Sequence, residues 1–208
     1  MEVNTIQRAS MKLKIPLAST TLALLLVACS GPDTDADQPA ASAVEAEPQA
    51  GEYIEASYGG YSMRCMSGDD AAASIGTYVV TVLENGRVVA ELTGARDGVI
   101  QDCWMTNIDA DASAEVLVFT RSAGSGGYAH LYVYELAGNE LSPANIPDPD
   151  ASLMGGYQGR DTYEIMDGRL LRTFPVYLEG DANCCPGGGE RRIEFNGATE
   201  TWELPATP

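Results

Sequence analysis

The sequence predicts an all-β chain, folded as an antiparallel sandwich or flattened barrel of about eight strands. Three observations carry that expectation. From Gly51 onward Tyr, Val, Ile and Leu come in short runs rather than long amphipathic stretches. Those runs are divided at hairpin intervals by turn pairs, Asn85-Gly86, Gly138-Asn139, Asp167-Gly168 and Asn196-Gly197, whose backbones readily reverse direction. No window holds a helical period, apart from a single turn near Asp69–Ser74.

The strands follow in order. Thr77–Leu83 and Arg87–Leu92 flank Glu84-Asn85-Gly86, and Val99–Trp104 and Glu115–Arg121 flank an acidic turn. Glu115–Arg121 and Ala129–Leu136 alternate at period two, so each is expected to bury one face and wet the other. Thr162–Met166 and Arg169–Leu178 flank Asp167-Gly168. Pro175 cannot donate to a ladder, which marks the second of these as an edge or bulged strand. Arg191–Phe195 and Thr199–Leu204 flank Asn196-Gly197 and complete the set. No internal repeat longer than this hairpin rhythm is visible.

The domain, residues 51–206, is preceded by two segments of other character. Met11–Cys29 has a basic start, an apolar run too short to span a bilayer and a small-residue exit, so residues 1–28 read as a secretory signal. The first ten residues lack this logic, which makes Met11 an alternative start. Leu26-Val27-Ala28-Cys29 resembles a bacterial lipobox, in which the cysteine becomes the lipid-modified first residue. Ser30 resembles the sorting pattern of outer-membrane lipoproteins, so the expected location is the outer membrane, facing the periplasm. Acyl chains at Cys29 would anchor by burying methylenes, each worth roughly 0.8 kcal/mol. Residues 29–50, rich in Ala, Pro, Asp and Glu, bury almost nothing and read as a disordered tether.

Removing residues 1–28 takes one acid (Glu2) and three bases (Arg8, Lys12, Lys14) from a formal charge of −18, leaving −20. Beyond Cys29 there is no lysine. Such a field makes nucleic acid and anionic lipid surfaces poor partners and would steer a basic protein toward it, although solubility in a salty or high-GC organism is the plainer reading of the charge. Export would also expose Cys65, Cys103, Cys184 and Cys185 to an oxidising compartment. Four cysteines allow three pairings. Cys65–Cys103, leaving Cys184–Cys185 as a vicinal pair, is the first choice among them. A zinc site with His130 lacks the C-x-x-C spacing such sites use, and no cofactor is expected.

The stretch with most functional content is Glu115–Leu136, two strands joined by Ser122–Tyr128. Gly124, Gly126 and Gly127 let this backbone enter a narrow cleft, and Tyr128 supplies one large amphipathic ring. Ser125-Gly126-Gly127-Tyr128 fits S-G-x-Y, and the two hydroxyls can donate to carboxylates from one loop. A flexible hairpin tip with Tyr128 folded onto its own sheet is the plainer reading.

This hairpin, with the later FPVYLEGDANCCPGGGERRIEF, resembles the periplasmic inhibitors of invertebrate-type lysozyme. Gly156-Tyr157-Gln158-Gly159, Arg172–Tyr177 and Gly180–Asn183 add to the likeness, which runs from about Thr77 to Phe195. The resemblance implies a lysozyme as partner and a plug of Ser125, Gly126, Gly127 and Tyr128 in its active-site cleft. There the two hydroxyls would bond the catalytic carboxylates. It also implies a secondary contact from Tyr177, Asp181 and Asn183, and a capacity to form homodimers, which exposed edge strands would serve. Adjacent cysteines and a lipid anchor are departures from the family pattern. The alternative is an envelope lipoprotein of the same fold that binds calcium or glycan, or acts as a scaffold.

Asp109, Asp111, Ser113 and Glu115 place oxygens at alternate positions, as calcium loops do, but lack the central glycine. A solvated acidic turn is the simpler reading. Arg191-Arg192 reads as a strand start paired with acids, and His130, Tyr132 and Tyr134 as one packed face of a strand. Catalysis is not expected. The chain has one histidine, no G-x-S-x-G, and a Ser125 that reaches His130 only across a hairpin.

Overall fold

The computed structural model describes residues 52–68, 72 and 74–205. The expected signal, Cys29, the tether and most of the turn near Asp69–Ser74 lie outside the described residues.

Among the described residues there is no helix, and twelve strands form three antiparallel sheets of four. The first holds β1 (Ile54–Tyr58), β2 (Tyr61–Ser67), β3 (Ile75–Glu84) and β4 (Arg87–Asp97), hydrogen-bonded in chain order. The second holds β5 (Val99–Thr106), β6 (Ala114–Arg121), β7 (Ala129–Ala137) and β8 (Glu140–Ala144), also in chain order. The third holds β9 (Thr162–Met166), β10 (Arg169–Pro175), β11 (Glu190–Asn196) and β12 (Thr201–Glu203), in the order β12-β11-β10-β9. All-β is the observed class. The strand number exceeds the expected eight, and β1, β2 and β8 are the strands that the sequence pattern had not marked.

The first two sheets make a sandwich. Met63, Cys65, Tyr78, Val80 and Val82 meet Ile100, Cys103, Met105, Val116 and Val118 in one core. A disulfide between Cys65 and Cys103 crosses that core from β2 to β5, closing a loop whose constraint is worth about 3–4 kcal/mol in the chain-entropy model. Strand β1 lies against β5 and β4 against β8, so the sandwich nearly closes at both edges, as a flattened barrel does.

A second core lies on the other face of the middle sheet. Leu117, Phe119 and Val133 pack there against Tyr163, Leu170, Phe174, Ile193, Phe195 and Trp202 of the third sheet. Strand β6 is therefore buried on both faces, contrary to the expectation of one wet face. Ala114 to Thr120 are all buried. The period-two pattern is real, with Val116 and Val118 facing one core and Leu117 and Phe119 the other. Both sets are apolar, and a continuous apolar run is the mark of a strand covered on both sides.

Strand β10 likewise departs from expectation. It is an interior strand, pairing with β9 and β11, rather than an edge. Pro175 is tolerated because it is the last residue of the strand, opposite Glu190, where the ladder ends.

Leu117 is wholly buried between two sheets, so Leu117→Ala should lose about 2–5 kcal/mol of unfolding free energy through lost burial and a residual cavity. Urea unfolding measures it. A loss under about 1 kcal/mol, the most expected of a surface change, would mean that the third sheet is only loosely attached.

Candidate functional site

The loop between β6 and β7 is closed at its base by two hydrogen bonds. The Ser122 amide donates to the Tyr128 carbonyl at 2.9 Å, and the Tyr128 amide to Ser122 Oγ at 3.1 Å. Inside it the Gly127 amide donates to the Gly124 carbonyl at 2.8 Å, a turn that lifts Ser125 to the tip. Ser125 is exposed, and Tyr128 keeps 47% of its surface in solvent. The folded-back arrangement, with the loop tucked under its own sheet, is not observed.

What keeps so glycine-rich a loop in one shape is the chain that follows β8. The Arg160 amide donates to the Gly126 carbonyl at 2.9 Å and reaches the Gly127 carbonyl at 3.2 Å. The Tyr157 ring meets the Tyr128 ring edge-on, with centroids 6.0 Å apart. Gly159 takes φ +94°, and any side chain there would run into the Gly126 carbonyl. Gly126 in turn leaves the space that the Tyr128 ring occupies. The two glycines are interlocked by close backbone approach.

Beneath this contact sits Asp161, which has no solvent exposure. Its Oδ1 accepts from the Ala129 amide and the Tyr157 hydroxyl, each at 3.1 Å. Its Oδ2 accepts from Arg172 Nε and from a terminal nitrogen of the same guanidinium, each at 2.8 Å. Its backbone carbonyl accepts from Arg121 at 3.2 Å. One carboxylate thus ties the first residue of β7 to the third sheet. The buried Arg172 also lies over the rings of Tyr157 (4.9 Å), Tyr163 (5.6 Å) and Phe174 (6.0 Å), which stabilise its charge out of water. Burial, with the Asp161 charge added, pushes the Tyr157 phenol up to about 12, so it stays a neutral donor.

The loop after β10 lies nearby, linked through Arg160 to the Cys184 carbonyl at 3.5 Å. Cys184 and Cys185 are disulfide-bonded to each other and exposed. Tyr177 is buried, and its hydroxyl donates to the Asn183 carbonyl at 2.9 Å. Asp181 accepts the Gly187 and Leu178 amides at 2.7 Å and 2.6 Å, which hold its carboxyl below the usual range. Both side chains are engaged within their own loop, whereas Asn183, Cys184 and Cys185 face solvent.

At the other end of β6 lies the acidic turn. Asp111 accepts the Ser113 amide at 2.6 Å and its hydroxyl at 2.7 Å. Glu115 is buried, and its Oε2 accepts the Ile108 amide at 2.8 Å. Burial raises the Glu115 carboxyl to about 7. The Ile108 amide opposes that rise, and the charges of Asp109, Asp111 and Glu135 add to it. Sequence reasoning found both ends of β6 but not the brace. Arg160 and Asp161 carried no pattern of their own, although Gly156–Gly159 beside them had been singled out.

Residues 50–146 match the family model described as periplasmic lysozyme inhibitor of I-type lysozyme. The match takes in β1 to β8 and the loop Ser122–Tyr128, and stops before the third sheet. The expected span of likeness is corrected accordingly: it starts earlier than Thr77, and the blocks from Gly156 to Asn183 fall outside it. Two solved structures are similar. One is PliI-Ah, a periplasmic lysozyme inhibitor of I-type lysozyme from Aeromonas hydrophila, with 24% identity over 46% of this chain and 87% of that one, TM-score 0.41. The other is Aeromonas hydrophila PliI in complex with Meretrix lusoria lysozyme, with 26% identity over 41% of this chain and 75% of that one, TM-score 0.37. No curated protein matches the chain.

Asp161→Ala should cost about 3–5 kcal/mol, because it leaves the buried Arg172 charge unpaired. It should also speed hydrogen exchange at the Ala129 amide, which loses its acceptor. An unchanged urea midpoint and an unchanged Ala129 exchange rate would show that the brace carries no weight.

Proposed function

We propose that this chain, whose residues 50–146 match the family model of periplasmic inhibitors of I-type lysozyme, inhibits a lysozyme by inserting Ser122–Tyr128 into its catalytic cleft. The observation that carries the reading is an exposed Ser125 and Tyr128 on a loop fixed from behind, within the family-matched residues.

Glycoside hydrolysis depends on two carboxyl groups flanking the scissile bond. A plug needs only to satisfy those groups and fill the sugar subsites. Hydrogen bonds to charged acceptors are worth roughly 1.5–3 kcal/mol each, and a buried tyrosine is a favoured anchor at such interfaces. The Arg160 brace and the Tyr157 ring reduce the ordering cost at docking, since a loop already held in shape loses little freedom on binding. Arg160, an exposed residue whose amide holds the loop, adds a cation to this end of the domain, suited to a carboxylate-lined cleft. An invertebrate-type lysozyme is the favoured target, and the inhibitor itself performs no chemistry.

Location follows from the leader. We assign lipid attachment to Cys29 and an outer-membrane position facing the periplasm, with residues 29–50 as the tether. There the domain would guard peptidoglycan against a lysozyme crossing the envelope.

Peptidoglycan lysis by invertebrate-, vertebrate- and goose-type lysozymes, with the soluble domain added, tests the reading. Inhibition of none would sink it. Ser125→Ala and Tyr128→Ala should each raise the inhibition constant about tenfold or more with Tm unchanged. A double variant that inhibits like the parent would leave the family intact but remove the plug. Separately, Cys29→Ser should abolish incorporation of labelled palmitate in an expressing cell, and continued labelling would refute the anchor.

A further inference from the structure

The acidic turn at the start of β6 holds a second site, unrelated to the inhibitory loop. We propose that Asp109, Asp111, Ser113 and Glu115 bind a calcium ion.

Carboxylate oxygens of Asp109, Asp111 and Glu115 all lie within 4.8 Å of one another, close enough for one ion to bridge at the 2.3–2.6 Å distances calcium uses. Proximity of acids alone would mean little in a chain this acidic. The separate observation is Glu115. The residue is 97% buried, given its 3% exposure, and its Oε1 has no hydrogen-bond partner among the described residues. A buried carboxylate oxygen without a donor is costly to keep out of water. A cation among these oxygens would remove that cost.

The surroundings agree. Glu135 stands across from the turn, accepting from Ser113 Oγ at 3.1 Å, so four carboxylates crowd one corner. The Asn107 side chain pins the turn. The Ala110 amide donates to Asn107 Oδ1 at 2.6 Å, and Asn107 Nδ2 to the Asp111 carbonyl at 2.8 Å. Asp111 itself is exposed, so an ion reaches the turn from solvent.

The donors are all oxygen, which selects hard cations and disfavours zinc or copper. Their flexible spacing, with carboxylates able to bind through one or both oxygens, suits calcium better than magnesium, which demands near-ideal octahedral geometry and keeps its waters. Strand β6 separates this turn from the inhibitory loop by its full eight residues, about 26 Å of extended chain. Calcium here would therefore stabilise the sheet without entering the cleft of a target.

Thermal unfolding of the soluble domain, residues 51–206, in CaCl2 against EDTA at matched ionic strength tests the site, with calorimetric titration of CaCl2 alongside. A calcium concentration a hundredfold above Kd should raise Tm by about 5–10 °C. Glu115→Gln should abolish the rise and Asp109→Asn should reduce it, while both variants still unfold cooperatively. The same Tm in CaCl2 and EDTA, an undiminished rise in both variants, or an equal rise with MgCl2 would each overturn the assignment. Lysozyme inhibition is not part of this readout, so the two proposals stand or fall separately.

Discussion

The arrangement depends on one buried ion pair. Asp161 and Arg172 sit where the middle sheet, the third sheet and the base of the exposed loop converge. A pair taken out of water is costly unless its remaining hydrogen-bonding capacity is used. Here both carboxylate oxygens are occupied, and three aromatic rings surround the guanidinium. Satisfied in this way, the pair specifies geometry more than it adds stability, because it makes only one placement of Ala129 relative to β10 acceptable. The loop inherits that placement.

The middle sheet explains how a single hairpin can be this stiff. Strand β6 gives alternate side chains to two cores, so neither of its faces is free to breathe. The sandwich alone would support the hairpin from one side. The third sheet supplies the other side, and the segment leading into it reaches the loop itself through Tyr157, Gly159 and Arg160. A loop of serines and glycines has almost no means of its own to hold a shape, and its rigidity is imported.

Much of this was legible in the residues. The turn pairs placed the hairpins, and the apolar runs placed most strands. The S-G-x-Y stretch stood out because three glycines flank two hydroxyl-bearing residues. What could not be read was long-range. In Glu115–Arg121 the alternation alone predicts one wet face, but the second set, Leu117 and Phe119, is itself apolar and meets a core built from strands far along the chain. Pro175 suggested an edge because its place at the very end of β10 depends on where the partner strand stops. Asp161 gave no signal, since an isolated acid in sequence says nothing of the arginine eleven residues later that it will meet. Glu115 was grouped with its acidic neighbours, but its burial under the Ile108 amide is a product of the fold.

The division of labour between the exposed loop and its support has a consequence for how such a protein can change. The exposed hydroxyl-bearing residues of the loop are Ser125 and Tyr128, while Tyr157, Gly159, Arg160 and Asp161, which hold the loop's shape, lie after position 146, with Gly159 and Asp161 buried. Substitutions at Ser125 can therefore change what the tip presents without rebuilding the scaffold. The tip is open to change where the foundation is not.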